Sequence, residues 1–220
     1  MFEYVKQDLN RYYQRGGGQA GSTFARRCRT CLSTPGLHAV LIYRYGAWVL
    51  RDVRPRLLRK LLKVPYSFLD FACTVVWGIH IDPEASIGGG LYLGHHSGIL
   101  IGPIKMGVDC NIAHQVTIGR RADGTGDVPT IGDRVWIGTG SVVFGRIRIG
   151  DGTTIGPLTV VGRSLPPRVV VMGNPLKVVR TNYDNTTEIY GRSGRPRPAP
   201  APTGDHADGL IPAHHAGGSR

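Results

Sequence analysis

Histidines occur at 95 and 96, within Gly94-His95-His96-Ser97-Gly98, and again at 114, within Asn111-Ile112-Ala113-His114. His95 and His114 each fall two residues after a long aliphatic residue, Leu93 and Ile112. An imidazole titrates near neutrality, so it can take a hydroxyl proton as the oxygen attacks an electrophile. Otherwise His95 is a solvated turn residue. His114 is either a second polar group on the same hydroxyl or a stacked surface histidine. Other reactive residue types are less well placed. Cys28 and Cys31 have C-x-x-C spacing, but no second pair or histidine completes a zinc set, and no strand precedes them as a redox pair would need. The chain has no phosphate-cradling G-x-x-x-x-G-K-[ST] loop and no nucleophilic Ser or Cys motif. His206, His214 and His215 are scattered in a Pro- and Gly-rich stretch and receive no role.

A repeat of six positions the histidines. Branched or long aliphatic residues open successive units at Ile81, Ile87, Leu93, Ile99, Met106, Ile112, Ile118, Ile131, Ile137, Val143, Ile149, Ile155 and Val161. Two steps depart from six, Ile99 to Met106 and Ile118 to Ile131. Glycine follows most openers, as at Gly88, Gly94, Gly107 and Gly119. This period is neither that of a helix nor that of a hairpin; it fits a solenoid of short strands and tight turns. With three units per triangular coil, the coils read 81/87/93, 99/106/112, 118/131/137 and 143/149/155. Leu93, Ile112, Ile137 and Ile155 then share a column, and two residues beyond them stand His95, His114, Thr139 and Pro157. The two histidines should therefore stack one strand spacing apart, roughly 5 Å.

Three segments follow, with boundaries at 1–80, 81–180 and 181–220. Residues 1–80 show helical spacing through Leu37–Leu50 and Leu57–Phe71, with breaks at Pro35-Gly36 and Pro55 and a flexible link at Arg15–Ser22. Residues 81–180 are the solenoid. Residues 181–220 are expected to be a disordered tail, its stretch 192–220 having almost nothing to bury. Of the formal +12 charge, the first segment carries +9, with 13 Lys+Arg against 4 acids. No aromatic-basic pattern accompanies this charge, so nucleic acid is not an expected partner. Arg51–Lys63 has six basic residues among leucines at helical spacing; it is a solvated basic face or one that lies on an acidic membrane surface. No stretch of 18 apolar residues is free of charge, and the N-terminus has no apolar leader. The cysteines are too few for a disulfide scaffold. The expected location is the cytoplasm.

The [LIV]-G-x4 array resembles the hexapeptide-repeat acyltransferases. Residues 80–102, 111–119, 129–145, the preceding PGLHAVLIYRYGAWVL (35–50) and the closing PPRVVVMGNPLKVVR (166–180) resemble the serine O-acetyltransferase family over roughly residues 30–180. The resemblance implies a mainly β fold, a left-handed parallel β-helix with an α-helical N-terminal segment, assembled as a homotrimer or dimer of trimers. It implies acetyl-CoA as co-substrate, no metal, and direct transfer to a hydroxyl acceptor with His95 as general base. His80 occupies the place of the aspartate that orients the family's histidine; either Asp82 takes over that role or no dyad exists. His80, His96 and His114 face the acceptor. Thr139, Gly140, Pro157 and Leu158 line the groove for the pantetheine arm. By their charge and place near the exit, Arg163, Lys177 and Arg180 either meet nucleotide phosphates or are ordinary surface charges. Gly94 stands where the family usually has Asp, and Val128 where it has a second histidine. These positions hold the amino acid, so an alternative acceptor is a sugar hydroxyl in exopolysaccharide or capsule assembly. A non-enzymatic β-helix scaffold is the reading from another class. Zinc-dependent relatives need three converging histidines, for which His95, His96 and His114 are available, but the helical N-terminal segment argues against that.

Overall fold

The computed structural model describes residues 2–15, 24–121 and 127–191. Most of the glycine-rich link, part of the 120–130 loop and the 192–220 stretch with its histidines lie outside them. Among the described residues four helices come first: α1 (Phe2–Arg15), α2 (Phe24–Ser33), α3 (Pro35–Arg51) and α4 (Arg56–Trp77). The prolines mark the starts, Pro35 as the first residue of α3 and Pro55 as the N-cap of α4. A proline there gives up only an N–H that would have no helical partner. Gly78 ends α4 in the left-handed conformation, φ 64°, and the next residue begins the first strand.

From Ile79 the chain winds into a parallel β-helix with three faces. The first face stacks Ile79–Ile81, Ile99–Ile101, Thr117–Gly119, Val142–Phe144 and Val160–Val161. The second stacks Ser86–Ile87, Lys105–Met106, Thr130–Ile131 and Arg148–Ile149. The third stacks Tyr92–Leu93, Asn111–Ile112, Trp136–Ile137, Thr154–Ile155 and Val170–Met172. This is the solenoid expected from the hexads, and the left-handed parallel β-helix that the resemblance implies. The openers point inward and are almost wholly buried, Ile137, Ile149 and Ile155 each at 0% exposure. Leu93, Ile112, Ile137 and Ile155 pair in sequence along one face, as the spacing predicts.

One register assignment is corrected. Ile99 pairs with Ile79, and it is Ile101 that pairs with Ile81 and Ile118. The second coil is therefore opened by Ile101, and Ile99 is a second inward residue on the same strand. Leu93 to Ile101 is eight residues and Ile101 to Met106 is five. The single one-residue slip in the sequence is thus a two-residue insertion partly offset by a one-residue deletion.

The first coil has no coil before it, so its backbone groups need other partners. The helices supply them. Asp8 Oδ1 accepts the Gly90 and Leu91 amides at 2.7 and 2.9 Å, and Tyr12 Oη accepts the Leu93 amide at 2.9 Å. Tyr43 donates to the Ala85 carbonyl at 2.6 Å. Arg44 donates to the Ile87 and Gly88 carbonyls, both at 2.6 Å, and pairs with Asp8 at 2.8 Å. Arg44, an interruption in an apolar run when read along the sequence, is the centre of this buried cap. Burial pushes the Asp8 carboxyl up, while Arg44 and the two amides pull it back.

The far end is closed by an antiparallel strand, Lys177–Arg180, laid against Val170–Met172. The expectation of a tail from residue 181 is corrected here. Residues 181–191 fold against the side of the solenoid, with α5 at Thr186–Tyr190. Asn111 Nδ2 donates to the Glu188 and Ile189 carbonyls at 3.1 Å, and Tyr190 donates to Asp109 Oδ2 at 2.9 Å. Ile189 and Tyr190 are buried, enough apolar anchorage to hold a five-residue helix. Among the described residues no helix is long and apolar enough to cross a membrane.

Candidate active site

The turn from the third face to the first carries the histidines. In later coils this turn is regular. The Gly140 amide donates to the His114 carbonyl at 3.1 Å, and the Leu158 amide to the Thr139 carbonyl at 2.8 Å. In the first coil the equivalent bond runs from the Gln115 amide to the Ser97 carbonyl at 2.9 Å. The backbone counterpart of His114 is therefore Ser97, and His95 and His96 are the two inserted residues. They form a bulge. His95 has φ +66° and Ser97 φ +97°, conformations that non-glycine residues seldom adopt and that surrounding structure must enforce.

The bulge brings His95 against His114 with ring centroids 5.7 Å apart and planes at 87°. The two histidines are neighbours, but edge-on and through a local insertion; the expectation that His95 is the column counterpart of His114 is corrected, since Ser97 holds that place. Thr139 Oγ1 lies 3.5 Å from His114 Nδ1, extending the polar row to the next coil. His95 and His96 are exposed and His114 is half-buried, so the row faces solvent.

The other residues singled out from the sequence divide. Thr139 and Gly140 continue the row at the same turn, and Pro157 and Leu158 follow one coil later, both exposed. Gly140 has φ +70°, and a β-carbon there would meet Leu158 Cδ2 at 2.7 Å, so glycine keeps this edge shallow. Lys177 pairs with Met172 at the last coil. The row from His95 to Lys177 thus crosses five strand spacings, roughly 24 Å. Arg163 stands at the next turn of the solenoid, its guanidinium donating to the Leu176 carbonyl at 3.3 Å. Arg180 lies over the Tyr183 ring at 5.8 Å.

Asp82 is not brought to His95. It follows the first-face strand, at a different corner, where its Oδ1 accepts the Glu84 amide at 2.8 Å and closes a local turn. A carboxylate two residues from a turn amide meets that amide before anything more distant. His80 is paired instead with Asp70 of α4, Nδ1 to Oδ2 at 3.3 Å. Asp70 was visible in the sequence only as a charge in an apolar stretch; the abrupt Gly78 turn, which folds the end of α4 onto the first strand, makes it a partner. Among the described residues no three His, Cys, Asp or Glu are grouped to hold a metal ion.

Residues 129–163 match the model for bacterial transferase hexapeptide (six repeats). Over 151 residues the chain is 37% identical to the serine acetyltransferase of Mycobacterium tuberculosis, covering 66% of this chain and 61% of that protein. It is 36% identical to the serine acetyltransferase of Helicobacter pylori, covering 81% of that protein. The chain belongs to the serine acetyltransferase family. It spans less than two thirds of the length of the Mycobacterium tuberculosis serine acetyltransferase. Among solved serine acetyltransferase structures, that of Neisseria gonorrhoeae in complex with serine superposes with a TM-score of 0.67 at 32% identity, over 81% of this chain and 69% of the other. The Brucella abortus serine acetyltransferase in complex with coenzyme A gives 0.67 at 25% identity, over 82% and 68%.

Proposed function

We propose that this chain transfers the acetyl group of acetyl-CoA to the hydroxyl of L-serine, with His95 as general base. The observation that carries the reading is the His95–His114 pair, held at an open turn of a β-helix whose matched relatives are serine acetyltransferases. One solved relative holds serine and another coenzyme A, which favours this reading over a sugar acceptor or an inert scaffold.

In this mechanism His95 takes the serine hydroxyl proton while the oxygen attacks the thioester carbonyl carbon. The C–S bond then breaks, and the departing thiolate takes the proton back from the imidazolium. No acyl-enzyme forms, in keeping with the absence of a nucleophilic Ser or Cys motif. His114, steadied by Thr139, is the neighbouring polar group that orients His95 or the acceptor. The thioester and pantetheine arm run along the turn past Thr139, Gly140, Pro157 and Leu158, and Lys177, Arg163 and Arg180 are the cations for the nucleotide phosphates. The reading includes a homotrimer with the site between neighbouring β-helices.

The test is thiol release from acetyl-CoA with L-serine as acceptor, run beside nucleotide sugars. Serine should be the substrate turned over, and His95→Ala should lower kcat about 10²- to 10⁴-fold with an unchanged circular dichroism spectrum. Full turnover by the variant would remove His95 as the base, and turnover of sugars alone would replace the acceptor.

A further inference from the structure

Among the described residues the outer face of α4 is unlike any other surface. Nine of the eighteen exposed large hydrophobic side chains among the described residues lie on this one helix. Leu57, Leu61, Val64, Phe68, Phe71 and Val75 are each 66–83% exposed. Their alternating steps of four and three keep them within about 40° of one line along a 3.6-residue helix, over about 27 Å. Leu58, Leu69 and Val76 widen the band on one flank, and Arg56, Lys60 and Lys63 border it on the other. The opposite side of α4, at Tyr66 and Cys73, is the one buried in the fold.

Charge decides between occupants. From Arg54 to Trp77 there are five basic residues, all before Val64, and one acid, Asp70. A second copy packed parallel along this helix would set like charges together. Packed antiparallel, it would oppose the basic half with a half whose single acid is already held by His80 at 3.3 Å. A surface that offers both apolar depth and negative charge satisfies the whole face. We propose that the outer face of α4 seats the protein on an anionic lipid surface. The Leu57–Val75 stripe enters the boundary between headgroups and acyl chains, and Arg56, Lys60 and Lys63 meet the lipid phosphates. This inference stands apart from the acetyl-transfer reading.

The experiment is co-sedimentation of the full chain with vesicles of phosphatidylcholine alone and of phosphatidylcholine mixed with phosphatidylglycerol. The protein should bind the mixed vesicles, and binding should weaken as salt rises. The double substitution Lys60→Gln/Lys63→Gln should weaken it about 25-fold, at about fivefold per basic residue near such a surface. Phe68→Ser/Phe71→Ser should weaken it at least about tenfold, since two aromatic side chains leave the apolar boundary. Both variants change only the outer face and should keep the native circular dichroism spectrum. Three results would overturn the proposal: no binding by the unmodified chain, equal binding to both vesicle types, or a Phe68→Ser/Phe71→Ser variant that binds vesicles as before but has a smaller mass by light scattering. The last would show the face to be covered by a second copy.

Discussion

The helical cap and the solenoid satisfy their backbones by opposite means. In the solenoid each coil bonds to the next by the same ladder, from Gly94 to Ile112, Ala113 to Ile137 and Gly138 to Ile155. In the cap, individual side chains from two helices do this work, Asp8, Tyr12, Tyr43 and Arg44, on the one coil that has no coil before it. Repetition spreads stability evenly, whereas a cap concentrates it in a few buried polar atoms.

That contrast can be tested by substitution. Asp8→Ala strips Arg44 of its carboxylate and leaves a buried cation, so it should cost about 3–5 kcal/mol, read as a lower midpoint in urea. Tyr12→Phe orphans the Leu93 amide and should cost about 1–3 kcal/mol in the same measurement. Because Leu93 is the strand residue just before the histidine bulge, Tyr12→Phe should also lower kcat more than an equally destabilising change elsewhere. Ile137→Val, inside the repeat, should cost only about 0.5–1.5 kcal/mol and leave kcat unchanged. If Ile137→Val outweighed Asp8→Ala, the division between cap and repeat would fail.

The smallest effect near neutral pH comes from the two buried thiols, one at each region. Burial pushes Cys73 of α4 up to about 11 and Cys110 within the solenoid up to about 12, from an ordinary 9.0. A thiol whose folded value is raised holds its proton longer in the native state. The stability it contributes is complete below pH 9 and is lost as pH rises through 11 and then 12. Urea midpoints should therefore fall above pH 9. Alkylation of the native protein at pH 8 should modify Cys28 and Cys31 and spare Cys73 and Cys110, as peptide mass analysis would show.

The difference also explains what could be read from the chain. The columns were legible because an inward position repeats every six residues and tolerates only aliphatic side chains; Leu93, Ile112, Ile137 and Ile155 announce themselves. The histidine pair was legible only in part: counting by six made His95 the counterpart of His114, whereas Ser97 holds that place and the bulge carries His95 to its neighbour. The insertion was partly hidden because a gain of two residues and a loss of one leave a net slip of one. Arg44 and Asp70 could not be placed, because Arg44 is defined by Asp8, 36 residues away on another helix, and Asp70 by His80 across the Gly78 turn, and no periodicity records either pairing. The role expected of Asp82 came from the family pattern, whereas in the fold a local amide claims its carboxylate first.

The last described segment carries a further consequence. Arg11 of α1 donates to Asn111 Oδ1 at 3.0 Å and also to the Ile189 carbonyl, and its guanidinium lies 4.3 Å from the Tyr190 ring centroid. A helix near the start of the chain and a helix after the solenoid are therefore clasped together over the second coil. A stack of repeats ordinarily frays from whichever end is weaker. Here neither end can peel away without releasing the other, so the array behaves as a closed loop of dependencies and should melt in one cooperative step.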